Sequence, residues 1–148
     1  MNRIIIILVI VILAACTSDN PIKQDSILLE AGQFPQKWEL VAMSGMIANV
    51  PPTQGDDMAW QEHYILAADG TFVKTRDYND EQIVATGVYE LVKLEDGDYL
   101  RLAHKSHNEI IGNCGNSPEE YLRFEISNSL VGTWWACDGP GLFYERTQ

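Results

Sequence analysis

The stretch Leu91-Val92-Lys93-Leu94-Glu95-Asp96-Gly97-Asp98-Tyr99-Leu100-Arg101-Leu102-Ala103-His104 decides the fold. Leu100, Leu102 and His104 alternate with Tyr99, Arg101 and Ala103. A period of two puts successive side chains on opposite faces of a strand. Glu95-Asp96-Gly97-Asp98 supplies the residues of a tight hairpin turn, so residues 99–104 fold back on the long strand predicted at residues 83–94. Gly87 within that strand signals a bulge or bend.

The alternation continues in both directions. Upstream, residues 71–77 set Phe72, Lys74 and Arg76 against Thr71, Val73 and Thr75, and Tyr78-Asn79-Asp80-Glu81 turns the chain. Residues 60–67 alternate ahead of Ala68-Asp69-Gly70, and residues 36–43 place Trp38, Leu40 and Ala42 on one face. Downstream, residues 119–127 set Leu122, Phe124 and Ile126 opposite Tyr121, Arg123 and Glu125, followed by the turn Ser127-Asn128-Ser129. Strands at residues 130–137 and 142–146 finish the chain, joined by Asp138-Gly139-Pro140-Gly141. In a strand the adjacent Trp134 and Trp135 point to opposite faces, and the outer one would be covered by residues 26–30 or a partner, with packing against a neighbouring strand's long side chain the plainer alternative. That makes eight strands, with a short ninth at residues 109–111 and no sustained helical period after Leu29. The predicted fold is all-β: an eight-stranded up-and-down antiparallel meander. Closing it into a barrel removes both edges and leaves room for side chains or one small ligand; a sandwich is the alternative. Residues 44–59, 105–108 and 112–118 are the longer loops, and the first would lie at a rim, over the barrel mouth.

Residues 1–15 are set apart by composition. A start carrying Arg3 precedes the apolar run of residues 4–13 and the small pair Ala14-Ala15, the order of a secretory signal. Ten apolar residues are too few to span a bilayer. Leu13-Ala14-Ala15-Cys16 resembles the lipobox of bacterial lipoproteins. The resemblance implies cleavage before Cys16, diacylglycerol on its thiol and an acyl group such as palmitate on its new amine. An ordinary secretory signal ending beside Cys16 is the plainer alternative. Two or more acyl chains anchor stably where one does not. The residue after Cys16 is Thr17, not Asp, which in enteric bacteria goes with outer-membrane sorting. Residues 16–35 read as a lipidated tether and residues 36–148 as the barrel domain. Without residues 1–15 the chain is about 41% apolar, enough for a core, and carries nine Lys/Arg against 21 Asp/Glu. That balance excludes nucleic acid, which needs a basic face, and leaves no electrostatic attraction to anionic lipid.

Trp38-Glu39-Leu40-Val41, the Asp69-Gly70-Thr71-Phe72 hairpin and Gly87-Val88-Tyr89, in that order, resemble the small bacterial lipocalin-like (calycin-type) lipoproteins over about residues 34–148. The resemblance implies a barrel with a cavity open at one end. It also implies a floor closed by a first-strand tryptophan, matched by Trp38, against a basic residue of the last strand, matched by Arg146. A cation–π pair of that kind is worth about 0.5–2 kcal/mol. Trp38 as plain core and Arg146 as plain surface is the alternative. The chain departs from the family pattern at Gln36, where a glycine is expected.

With Cys16 acylated, Cys114 and Cys137 remain, each beside a turn, in an exported chain where oxidation is allowed. A disulfide between them is expected, with two free thiols the alternative. His104, His107 and Glu109 offer three potential metal ligands, the basis of a third, enzymatic alternative, but a strand end followed by a turn is a poor frame for them. No nucleophile elbow, HExxH or phosphate loop occurs. The expectation is a non-enzymatic, cofactor-free lipoprotein of the bacterial envelope, held to the membrane through Cys16. It would take a small apolar ligand in the barrel, with Met46, Ile47, Val50 and Trp60 at the rim. The alternative is an envelope interaction or inhibitor module, with a filled barrel, using loops such as residues 138–141.

Overall fold

The structure, a computed structural model, describes Leu29, residues 33–45, Ile47 and residues 49–148. The expected signal segment, Cys16, most of the expected tether and Met46 lie outside the described residues. The strands are β1 (Gln36–Ser44), β2 (Thr53–Gln54), β3 (Gln61–Leu66), β4 (Thr71–Tyr78), β5 (Glu81–Leu94), β6 (Gly97–His104), β7 (Glu119–Ile126), β8 (Ser129–Gly132) and β9 (Gly141–Arg146). β1 pairs with β3, each strand from β3 onward pairs antiparallel with the next, and β9 returns to β1. The result is a closed eight-stranded up-and-down barrel, compatible with a calycin-like fold, with β2 as an extra strand alongside Ala42 and Met43.

Local chemistry sets the turns. Asn79 and Asp80 join β4 to β5 with φ of 51° and 63°. Two consecutive left-handed residues make the turn whose twist matches a hairpin, and Asn and Asp tolerate that conformation best after glycine. Asp69 Oδ1 accepts from the Thr71 backbone N–H at 3.0 Å and from its hydroxyl at 2.6 Å, fixing the β3–β4 turn. β5 is long because it serves two neighbours: residues 81–88 pair with β4 and residues 87–94 with β6. At Gly87, where the two pairings overlap, a Cβ would sit 2.1 Å from the Ala103 carbonyl oxygen and 2.6 Å from the Phe72 ring. Gly87 is thus a point of close approach, with no break in register on either side.

The core is the barrel interior. Trp38, Leu40, Tyr64, Leu66, Phe72, Leu100, Leu102, Leu122, Leu130, Leu142 and Tyr144 point inward and are buried, and Leu29 of the tether packs against them. Four expectations need correcting. Ala42 does not take the inward position: a bulge between Leu40 and Ala42 resets the alternation, and Met43 enters the core. A second irregularity between Phe124 and Ile126 leaves Ile126 exposed. The ninth strand is β2, whereas residues 109–111 form part of a loop. The strand expected over residues 130–137 ends at Gly132. There Thr133 finishes the ladder through its N–H and hydroxyl, both donated to the Tyr121 carbonyl, and Trp134–Cys137 coil into a 3-10 turn. Trp134 packs against the core and Trp135 is 61% exposed, so the pair divides as expected but on a turn, where Gly139 lies flat against the Trp134 ring.

Cys114 and Cys137 are bonded, with Cα atoms 5.5 Å apart. The bridge ties the loop between β6 and β7 to the 3-10 turn. Closing a 23-residue separation constrains the unfolded chain, so the Cys114→Ser/Cys137→Ser protein should lose about 2–3 kcal/mol. Urea unfolding of both proteins checks this: equal midpoints would mean that the bridge carries no stability.

Candidate functional site

Up-and-down connectivity sends alternate loops to opposite ends. The residue 45–60 loop, the residue 105–118 loop and the 3-10 turn share one end, the mouth; the short turns after β3, β5 and β7 share the other, the floor. At the floor, Trp38 and Arg146 are register partners across β1 and β9. The Trp38 ring nonetheless makes its contacts elsewhere. It meets Phe124 edge-on at 6.0 Å, and its N–H donates to Gln36 Oε1 at 3.3 Å. Gln36 is fully buried and holds the indole.

The mouth half of the interior is ionic. Glu62 on β3, Lys74 and Arg76 on β4, His104 on β6 and Glu120 on β7 all point inward and are buried. Lys74 Nζ donates to Glu120 Oε1 and Oε2 at 2.9 and 3.1 Å and lies 3.2 Å from Glu62 Oε1. Arg76 Nε donates to Glu62 Oε2 at 2.5 Å, and the Tyr144 hydroxyl donates to Glu62 Oε1 at 2.5 Å. His104 Nε2 lies 3.2 Å from Glu120 Oε2. Two cations match two carboxylates, the condition under which charges survive out of water. Burial alone would raise the Glu120 pKa. The Lys74 charge and the hydrogen bonds from His104 and Lys74 outweigh it and bring the group down to about 2. Burial, then the neighbouring carboxylates, push the Tyr64 and Tyr144 phenols well above their ordinary range, so both remain protonated.

The cluster also closes the mouth. The Ile110 carbonyl accepts from Lys74 Nζ at 2.6 Å and from Arg76 Nη2 at 3.3 Å. The Gly112 N–H donates to Glu120 Oε1 at 3.0 Å, and the Ile110 side chain is wholly buried. Residues 105–118 therefore act as a plug, latched inside by three charged side chains and outside by the disulfide. Trp60 lies beside the residue 105–118 loop, with Arg76 stacked on its ring at 4.2 Å. A rim concavity of about 220 Å³ lies between Trp60, Tyr78, Ile83 and Glu109. Ile47 and Val50 are exposed, and Met46 is outside the described residues. The histidines part company: His104 points into the barrel, while His107 is exposed and bonded to the Asn116 carbonyl at 2.9 Å. Among the described residues no group of three metal-ligating side chains converges.

Where an apolar ligand would sit, the side chains of Tyr64, Lys74, Glu120, Tyr144 and Ile110 are buried. A larger concavity, about 590 Å³, lies outside, on the wall formed by β7, β8, β9 and the end of β1. Arg123, Val131 and Phe143 form its base as register neighbours on three strands, outward because Leu122, Leu130 and Leu142 point inward. Trp135, Asp138 and Gly139 form its raised side. Asp138 adopts a left-handed conformation, φ 66°, ending the 3-10 turn, and Glu125 is paired with Arg123. Sequence reading had Trp135 and the residue 138–141 loop as candidates for an interface; the groove joins them to the outer faces of β7, β8 and β9. No family model, curated protein or solved structure matches this chain.

Proposed function

We propose that this chain is an envelope lipoprotein of lipocalin-like form whose barrel is a non-catalytic recognition module, binding a partner protein on its outer wall. The ion-clustered interior, latched by Ile110, carries this reading. A small apolar guest would have to displace Ile110 and lie against Lys74 and Glu120, at the cost of uncovering buried charge. The outer groove, at about 590 Å³, is within the range of binding clefts and is already open. Acyl chains on Cys16 hold the module at a bacterial membrane, in the sorting pattern of the outer membrane. The acidic surface, net −11 for the whole chain, keeps it off anionic headgroups and turned towards the surrounding space.

Two measurements test this. A Cys16→Ala protein should move to the soluble fraction; retention in the membrane would overturn the anchor. Native mass spectrometry of protein released from its own host should give the acylated chain without a second small molecule. A lipid-sized guest bound one to one would return the function to the barrel interior.

A further inference from the structure

We infer that the outer groove takes a basic segment of the partner, with a Lys or Arg side chain laid on Trp135 between Asp138 and Glu125; this rests on the outer-wall reading above. The Trp135 indole stands 61% exposed on a turn that has little freedom to fold it away. Cys137 is bonded to Cys114, the Gly139 N–H returns to the Trp134 carbonyl at 3.2 Å, and Gly139 packs against the Trp134 ring. A fixed, solvated indole face attracts cations electrostatically and offers apolar area to an alkyl stem.

The charges around it select the same guest. Arg123, among the described residues the one cationic side chain lining the groove, is neutralised by Glu125. Asp138 has no ion-pair partner among the described residues, which leaves the groove with one uncompensated negative charge. The whole chain, at net −11, adds a long-range field that draws cationic partners and repels acidic ones. A second copy of this chain brings the same negative charge and is disfavoured as the occupant. A purely apolar segment would bury Asp138 without a partner. A basic segment supplies Asp138 with its missing partner, covers the indole and lays its backbone over Val131 and Phe143.

Tryptophan fluorescence and calorimetry with three short probes test this. One probe contains two arginines spaced by glycine, the second has citrulline in their place, and the third is the neutral oligosaccharide maltoheptaose. The arginine peptide should quench the fluorescence, and its affinity should fall at least fivefold between 50 and 300 mM salt. Trp135→Ala should weaken binding at least tenfold, and Asp138→Asn at least threefold, with the circular dichroism of both unchanged. Asp138 is exposed and its replacement leaves the core intact, so it reports even if the tryptophan variant folds poorly. If the citrulline peptide binds the groove as well as the arginine peptide does, the basic occupant is overturned while the outer-wall reading survives; if maltoheptaose does, the groove takes a sugar and the partner-protein reading is overturned with it. If no probe binds in a manner sensitive to Trp135 or Asp138, both fall together.

Discussion

A Lys74→Met protein should be less stable by about 3–5 kcal/mol, the largest loss expected from any single substitution in the barrel. Methionine keeps the length and most of the methylene packing, so the change isolates the ammonium group. Its removal deprives Glu120 of its two shortest side-chain hydrogen bonds, at 2.9 and 3.1 Å, and leaves Glu62 to Arg76 and Tyr144. The Ile110 carbonyl loses its 2.6 Å donor in the same step, so the plug loosens along with the core. The urea midpoint should fall with little change in slope, since the same surface is exposed on unfolding. Adding Glu120→Gln to Lys74→Met should restore part of the loss, because the amide removes the carboxylate stranded by the first change. A coupling of about 1–3 kcal/mol is expected for groups in direct contact. A Lys74→Met loss below about 1 kcal/mol, or additive effects of the two changes, would mean that the two side chains do not meet inside the barrel.

That cluster was the part of the molecule least legible in the sequence, and the reason is physical. Turn chemistry is local. Asn79-Asp80, Asp69-Gly70 and Asp96-Gly97 announce hairpins by their own backbone preferences, which made the strand count and the meander readable. Partners inside a barrel are distant in sequence: Glu62 meets Tyr144 across 82 residues and Lys74 meets Glu120 across 46. A signal was nonetheless present. Phe72, Lys74 and Arg76 share one parity, as do Glu62, Tyr64 and Leu66, and as do Glu120, Leu122 and Phe124. Two cations and two anions on the apolar phases of three strands sum to zero, which is what a buried set requires. The missed parities at Met43 and Ile126 have another cause, because a bulge adds one residue that no hydropathy pattern marks. At residues 134–137 the strand propensity of Trp-Trp was real, and tertiary bonding at Thr133 and Cys137 overrode it.

Acid should unlatch the plug before it unfolds the sheet. The Glu120 pKa is about 2 in the folded barrel against an ordinary 4.5, so in the window between those values the unfolded chain binds a proton that the folded one does not. A depressed carboxylate contributes its full stabilisation above the unfolded pKa and loses it as pH falls through the folded one. The loss should amount to about 3 kcal/mol between pH 5 and pH 2, at 1.36 kcal/mol per unit. Glu39, Asp69 and Glu119 also titrate low, through Lys37, Thr71 and Arg101. They are shared by a Glu120→Gln protein and cancel in the comparison. The glutamine variant should therefore be the less stable protein at pH 7 and show the shallower decline in urea midpoint towards pH 2. Because Glu120 also accepts from the Gly112 N–H, the protection of the residue 110–112 amides against hydrogen exchange, relative to the intrinsic rate, should fall at acid pH ahead of that of the strand amides. Equal slopes in the two proteins would remove Glu120 as the acid-sensitive group, and uniform exchange along the chain would remove the latch.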